Sequence, residues 1–348
     1  MPKSLVRKSL QGYTPYVPGE QPPDGEGWVK LNTNEAPLPP SPRVLAAIKA
    51  AADESLRLYP SPTARPAREA IARKFGLDPT RVALGNGGDE LIEMCFRAFA
   101  GPGETVAFPT PTYPLLEPLA RVHDTNVSTH PTEHPSELPP SLGLDPARLK
   151  FVVNPNSPTG ALFDRDAVEA VVAASSGVIV IDEAYVDFAP HSCLHLLDRY
   201  PNVLVLRTLS KSYALAGMRI GFALGSQELI EALDSVKDSY NLDRLAIVAA
   251  VAAIEDEEHH RRIVDEVVAN RRHLSAELER LGFEVVPSST NFVFVRPPKP
   301  AAEVAAALRE RKVLVRHYDR EPVAGWLRIT VGTRDQHARL LTALKEVL

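Results

Sequence analysis

Six short apolar runs recur between residues 80 and 225, and none of them alternates with polar residues. They are Arg81–Leu84, Glu104–Phe108, Lys150–Val153, Val178–Ile181, Val203–Leu206 and Ile220–Leu224. A half-exposed strand alternates apolar and polar side chains, because successive Cβ atoms point to opposite faces. Runs that are apolar throughout belong to strands covered on both faces. Helix-like stretches lie between them: LIEMCFRAFA, PLLEPLARVH, RDAVEAVVAASS and LHLLDRY. Strand and helix in alternation imply an α/β chain with a mostly parallel sheet, helices on both sides and right-handed crossovers.

Five of the six runs end in a polar tip. VAL leads to GNGGDE, VAF to PTPTY, FVV to NPNSPTG, VIVI to DEAY and VLVLRT to LSKSYALAGMR. In open α/β sheets ligands bind outside the carboxyl ends of the strands. Five tips of one sheet therefore converge on one crevice, with Asn154, Asp182, Tyr185, Ser210 and Lys211 as candidates.

The flanks read differently. Residues 1–40 form an arm without helical period, followed by a helix with Ser41 as N-cap, Pro42 at N1 and Val44, Leu45 and Ile48 on one face. A second helix runs from Pro66 to Phe75 and stops at Gly76. Residues 41–240 read as the large domain. Residues 241–348 carry a long helix over His259–Leu281, the runs EVV, NFVFV, VLVRHY and WLRITV, and helices at 301–310 and 335–347. They read as a smaller α+β domain that packs with the arm. At 348 residues the chain suits about two such units. A net charge of −5 supplies no basic field for nucleic acid or membrane. The start has no apolar core of a signal peptide and no run reaches the length of a membrane span. Two cysteines build no disulfide framework, so a cytoplasmic setting is expected.

Lys211 is the first chemical candidate. A lysine near a lowered pKa forms Schiff bases; a lone lysine after a strand is otherwise simply solvated. Ser210 and Arg219 beside it suit a phosphate, and Gly87 and Gly88 stand at a helix start where backbone N–H groups bind anions, although GNGG also suits a plain turn. A phosphate site beside a lysine fits pyridoxal phosphate. That cofactor needs a carboxylate for its ring nitrogen, and Asp182 ends a neighbouring strand, where an N-cap or a salt bridge is the plainer role. Tyr185, three residues on, could reach a ring oxygen, as could Asn154 on the neighbouring tip, and Tyr113 could stack on a ring. HSCLH brings His191, Cys193 and His195 together, but no further cluster completes a site, so no metal is expected. Motifs of dehydrogenases, P-loop enzymes, zinc proteases and α/β-hydrolases are absent from the sequence.

DEAY followed by TLSKSYALAGMRIG resembles the cofactor core of fold-type I pyridoxal-phosphate aminotransferases. TPYVPGE, LNTNEAPLPPSP, LYPSP, GNGGDELIE, PTY, NPNSPTG, NFVFV, VLVRHY and WLRITVGT extend the likeness nearly end to end. In that order they resemble the histidinol-phosphate aminotransferase family.

The resemblance implies a fold-type I transferase and a homodimer with shared active sites. Its substrates are small amino and keto acids: histidinol phosphate with 2-oxoglutarate, giving imidazole acetol phosphate and glutamate, in histidine biosynthesis. It makes Lys211 the lysine that carries the cofactor covalently and Asp182 the partner of the pyridine nitrogen. Asn154 and Tyr185 contact the 3′-oxygen, and Tyr113 stacks on the ring. Ser210, Arg219 and the amides of Gly87 and Gly88 hold the phosphate. Tyr59 reaches the partner's cofactor, Arg328 and Arg316 meet the substrate's anions, Asn154 and Tyr16 line the substrate's side, and Tyr16 closes over it. Three positions depart from the family: Ala36 in NEAP, Gly88 where serine is usual, and Leu116 where a second aromatic is frequent. They leave room for an aromatic-amino-acid aminotransferase or a decarboxylase of an O-phosphorylated amino acid.

Overall fold

The computed structural model describes residues 4–23 and 26–348. Asp24 and Gly25 of the Pro-rich arm, and the first three residues, lie outside the described residues.

The arm runs extended into a short strand, β1 (Val29–Leu31), and then into α1 (Pro42–Ala51) and α2 (Arg65–Phe75). Ser41 caps α1 by accepting the Arg43 N–H at 3.0 Å, and Gly76 ends α2 in the left-handed conformation. Val44 is fully buried, whereas Leu45, expected beside it, is 43% exposed. The apolar stripe of α1 that faces the protein is narrower than its sequence suggests.

The large sheet holds β2 (Val82–Asn86), β3 (Thr105–Thr110), β4 (Asn126–Pro131), β5 (Leu149–Val153), β6 (Val178–Asp182), β7 (Val203–Thr208) and β8 (Ile220–Gly225). Their order is β2-β8-β7-β6-β5-β3-β4, and β8 alone runs antiparallel to its neighbours. Between them lie α3 (Gly88–Phe99), α4 (Leu116–Val122), the single turn α5 (Ser141–Leu144) and α6 (Arg165–Ala174), and α7 (Gln227–Val236) follows β8. Ile179, Ile181, Val203 and Val205 point into one core with α1, α2 and α6. Val180, Leu204 and Leu206 point into the other with α3 and α7. Two covered faces are why these strands carry no polar alternation. β4 was not expected. It is the edge strand, half exposed, and NVSTHP offers no apolar run.

Beyond β8 come α8 (Arg244–Glu255) and the long α9 (Glu257–Arg280). Residues 241–348 were expected to form one unit, but Leu242, Ala246, Ile247, Ala250 and Ile254 sit in the core of the large sheet with α1 and α2. The switch to the second sheet comes at α9. That sheet contains β9 (Glu284–Val286), β10 (Phe292–Arg296), β11 (Val313–His317) and β12 (Leu327–Thr330), in the order β1-β11-β12-β10-β9. With α9, α10 (Ala301–Glu310) and α11 (Arg334–Val347) it encloses its own core. β1 pairs with β11 in parallel, so the arm is stitched into this sheet.

Candidate active site

The carboxyl ends of β2, β3, β5, β6 and β7 open on one side of the large sheet, and antiparallel β8 begins there. A cleft of about 480 Å³ lies above them, and Tyr16 of the arm and Arg328 of β12 line its other side.

Asp182 is the last residue of β6 and only 8% exposed. One carboxylate oxygen accepts the Ala184 N–H at 3.0 Å. Burial pushes its pKa up to about 6, with Asp89 and Glu183 adding to the rise. Lys211 follows the end of β7. Burial pulls its pKa down to about 8, Arg328 and Arg219 add to the fall, and Asp89 and Glu35 resist it. Its Nζ lies 5.7 Å from the centre of the Tyr185 ring. Ser210 donates its N–H to the Thr208 hydroxyl, which also lies 3.0 Å from the Ser210 hydroxyl.

At the tip of β2, Gly87 has φ of 84°, and a Cβ built there would run into the guanidinium of Arg219. A Cβ on Gly221 would meet the Gly87 carbonyl carbon at 2.7 Å. At Gly221 the obstacle is backbone, so β8 lies against the β2 tip with no room for a side chain; at Gly87 the guanidinium can give way, and the positive φ is what calls for glycine. The Gly87 N–H donates to the Gly85 carbonyl at 2.8 Å, so the free amides begin at Gly88. The amides of Gly88 and Asp89 are in the first turn of α3, where no intrahelical acceptor exists. A side chain at Gly88 would touch nothing within 4 Å, which leaves that helix end open. Asp89 sits between Arg219, at 3.4 Å, and the Tyr113 hydroxyl, which donates to it at 3.0 Å.

Several expected residues take other places. Asn154 does not line the cleft. Its side-chain oxygen accepts the Phe163 N–H at 2.9 Å, and its amide nitrogen lies 3.8 Å from Cys193 Sγ. Ser157 of the same NPNSPTG loop lines the cleft instead. Arg316 stands opposite Arg328 in the β11–β12 register, yet its guanidinium donates to the carbonyls of Pro18, at 3.1 Å, and Val17, at 2.7 Å. It ties down the arm next to Tyr16. Tyr59 is 78% exposed and outside this cleft, stacked on Tyr240 at 4.5 Å. Arg328 is buried, donates to the Asn32 carbonyl at 3.1 Å, and lies over the rings of Phe292 and Tyr318. Its Nε is buried without a partner. Asn34, Glu35, Asp89, Ser157 and Thr208 also line the cleft, and sequence reasoning missed them. The polar run NTNE after VKL was the one available signal for Asn34 and Glu35. Among the described residues no group of three or more His, Cys, Asp or Glu side chains could hold a metal, and no helix is long and apolar enough to cross a membrane.

A lysine with a depressed pKa, a buried carboxylate on the adjacent strand and an open helix N-terminus beside an arginine define the class: a fold-type I pyridoxal-phosphate-dependent transferase. A family model, aminotransferase class I and II, matches residues 26–344. The histidinol-phosphate aminotransferase of Aromatoleum aromaticum is 47% identical over 97% of this chain and 98% of its own. That of Geotalea uraniireducens is 43% identical over 98% and 99%. The crystal structure of histidinol-phosphate aminotransferase from Sinorhizobium meliloti, in complex with pyridoxal-5′-phosphate, superposes with a TM-score of 0.86 at 28% identity. It covers 91% of this chain and 90% of that one. The chain belongs to the class I and II aminotransferases, and within them to the histidinol-phosphate aminotransferase family. It is a transaminase.

Proposed function

We propose that this enzyme exchanges an amino group between the histidinol phosphate–imidazole acetol phosphate pair and the glutamate–2-oxoglutarate pair, with pyridoxal phosphate held at Lys211. One observation carries the reading: Lys211, Asp182, the open end of α3 and buried Arg328 all line one cleft. The donor set fits the cofactor. A phosphate suits the amides of Gly88 and Asp89, the Ser210 hydroxyl and Arg219. A protonated pyridine nitrogen suits Asp182, whose burial leaves its carboxylate short of a cation. Tyr185 would meet the cofactor's 3′-oxygen and Tyr113 its ring, both from the lining of the same cleft. When bound, the cofactor supplies a carbonyl carbon for amines and a ring that withdraws electrons.

The chain's own groups do the rest. Lys211, with a pKa near 8, is partly neutral at neutral pH and carries the α-proton on Nζ. Asp182 keeps a positive charge beside it. Arg328 accepts the anion of each substrate in turn, because its planar fork suits both carboxylate and phosphate. Tyr16, held by the arm's contacts with Arg316, covers the site and limits entry of water. Tyr59 faces away from its own cleft, which favours a homodimer in which it completes the partner's phosphate site. A cytoplasmic location agrees with two buried free cysteines.

The test is a panel of amino donors read through cofactor absorbance in single half-reactions. Histidinol phosphate should exceed phenylalanine, tyrosine and unphosphorylated histidinol in kcat/KM. A faster reaction with phenylalanine would assign the enzyme to aromatic amino acids. Carbon dioxide release from an O-phosphorylated amino acid would make it a decarboxylase.

A further inference from the structure

Asn34 is 1% exposed and occupies the left-handed region with φ of 56°. Every polar group on it is matched. Its backbone N–H donates to the Thr330 hydroxyl at 2.9 Å, and that hydroxyl donates back to the Asn34 side-chain oxygen at 3.1 Å. Its carbonyl accepts from the Asn291 side chain at 2.9 Å. Its side-chain nitrogen donates to the Tyr185 hydroxyl at 3.0 Å. The exchange with Thr330 fixes which end of the amide is which. Turned over, the amide would place a second donor on a hydroxyl that already accepts one, and the Thr330 proton would lose its acceptor.

A phenol has one proton. An oxygen that accepts from Asn34 is left with that proton to donate elsewhere, and the open direction is the cleft. We propose that Asn34 is a positioning residue that directs the phenolic proton of Tyr185 into the cleft, toward the oxygen of the bound cofactor. This rests on the reading that Tyr185 faces the cofactor's 3′-oxygen. The other groups facing the phenol agree with a donating role. Burial, helped by Asp182, holds its pKa above the ordinary value and so keeps the proton on it, while Arg328 pulls the other way. Lys211 lies over the ring at 5.7 Å, and Phe292 meets it edge-on at 5.2 Å. Through Thr330 and Asn291 the small sheet thereby sets a proton's direction at a tip of the large one.

A donor to the cofactor oxygen drains negative charge that would otherwise hold a proton on the Lys211 nitrogen. Tyr185 therefore lowers the pH midpoint of the bound chromophore's absorbance. Tyr185→Phe should raise that midpoint by about one unit, the size of one hydrogen bond. Asn34→Asp replaces the donor with an acceptor and turns the phenolic proton away from the cleft. It also adds a charge, so it is measured in both backgrounds. In the otherwise native enzyme it should raise the midpoint by about one unit more than it does beside Tyr185→Phe. Asn34→Gly, which suits this φ, supplies an uncharged second variant: a smaller rise with Tyr185 present and none beside Tyr185→Phe. Equal shifts in the two backgrounds would overturn the proposal while leaving Tyr185 at the cofactor. A midpoint that ignores Tyr185→Phe would overturn the placement of Tyr185 itself, and the role of Asn34 with it.

Discussion

Removing Arg207 should destabilise the protein by more than its partly exposed position suggests. Glu183, next to Asp182, has a side chain with no exposed surface, and Arg207 is 11% exposed. Arg207 donates to one Glu183 oxygen from Nε at 3.1 Å and from Nη2 at 2.8 Å. Its Nη1 also lies 3.6 Å from Asp187, which accepts the hydroxyl of Ser212 beside Lys211. One guanidinium thus joins the two strand tips that bear Asp182 and Lys211. In Arg207→Met, Glu183 keeps only the Ser192 hydroxyl and the Cys193 N–H as donors. Breaking a buried pair from one side costs roughly 3–5 kcal/mol, and these two donors place the expected loss at about 3 kcal/mol. Glu183→Gln removes the stranded charge, so the double variant should recover about 2 kcal/mol of that loss. Urea unfolding of the apo-enzyme at one fixed concentration measures all three. A loss below about 1 kcal/mol for Arg207→Met, or a double variant equal to the sum of the singles, would refute the reasoning.

Lys211→Met should stabilise the apo-enzyme at pH 7 by roughly 1–3 kcal/mol. The folded pKa of about 8 lies below the unfolded value, so native stability falls as pH drops from about 10.5 to 8 and stays low beneath that; thermal unfolding across this range should show the slope in the native protein and not in the variant. Arg328→Ala should slow both half-reactions by on the order of 30-fold or more, because a buried anion loses a charge-assisted contact. Loss in only one half-reaction would show that the substrates do not share that arginine. Arg316→Ala should loosen the arm, seen as faster amide exchange around Tyr16, and an arm unchanged in exchange would contradict its anchoring role. Tyr59→Phe should weaken cofactor retention in equilibrium dialysis without moving the unfolding midpoint, and unchanged retention would remove Tyr59 from the phosphate site.

The central strands of the large sheet were legible because burial on both faces leaves an unbroken apolar run, a signal that survives without any tertiary knowledge. β4 was not, since an edge strand half in water carries no such run. The reversed direction of β8 leaves no trace in side-chain pattern, because strands covered on both faces look alike either way. The boundary drawn at 241 placed the residues of α8 with the smaller sheet for a related reason: apolar side chains say that a segment is buried, not against what. At the site, residue types at strand tips located Lys211, Asp182, Tyr185 and Ser210 within the cleft. They did not say which member of NPNSPTG turns inward. That depends on where Asn154 finds its hydrogen bonds, and Phe163 and Cys193 are contacts that only the fold creates. The Gly87 amide, taken by Gly85, and the Arg316 guanidinium, taken by the arm, were hidden in the same way.

Reduction of the loaded enzyme with borohydride, followed by peptide mass spectrometry, tests the central assignment most directly. The reduced pyridoxyl phosphate should be found on the peptide containing Lys211, and Lys211→Ala should retain no covalent label. A label on another lysine, or covalent label persisting in Lys211→Ala, would contradict the account.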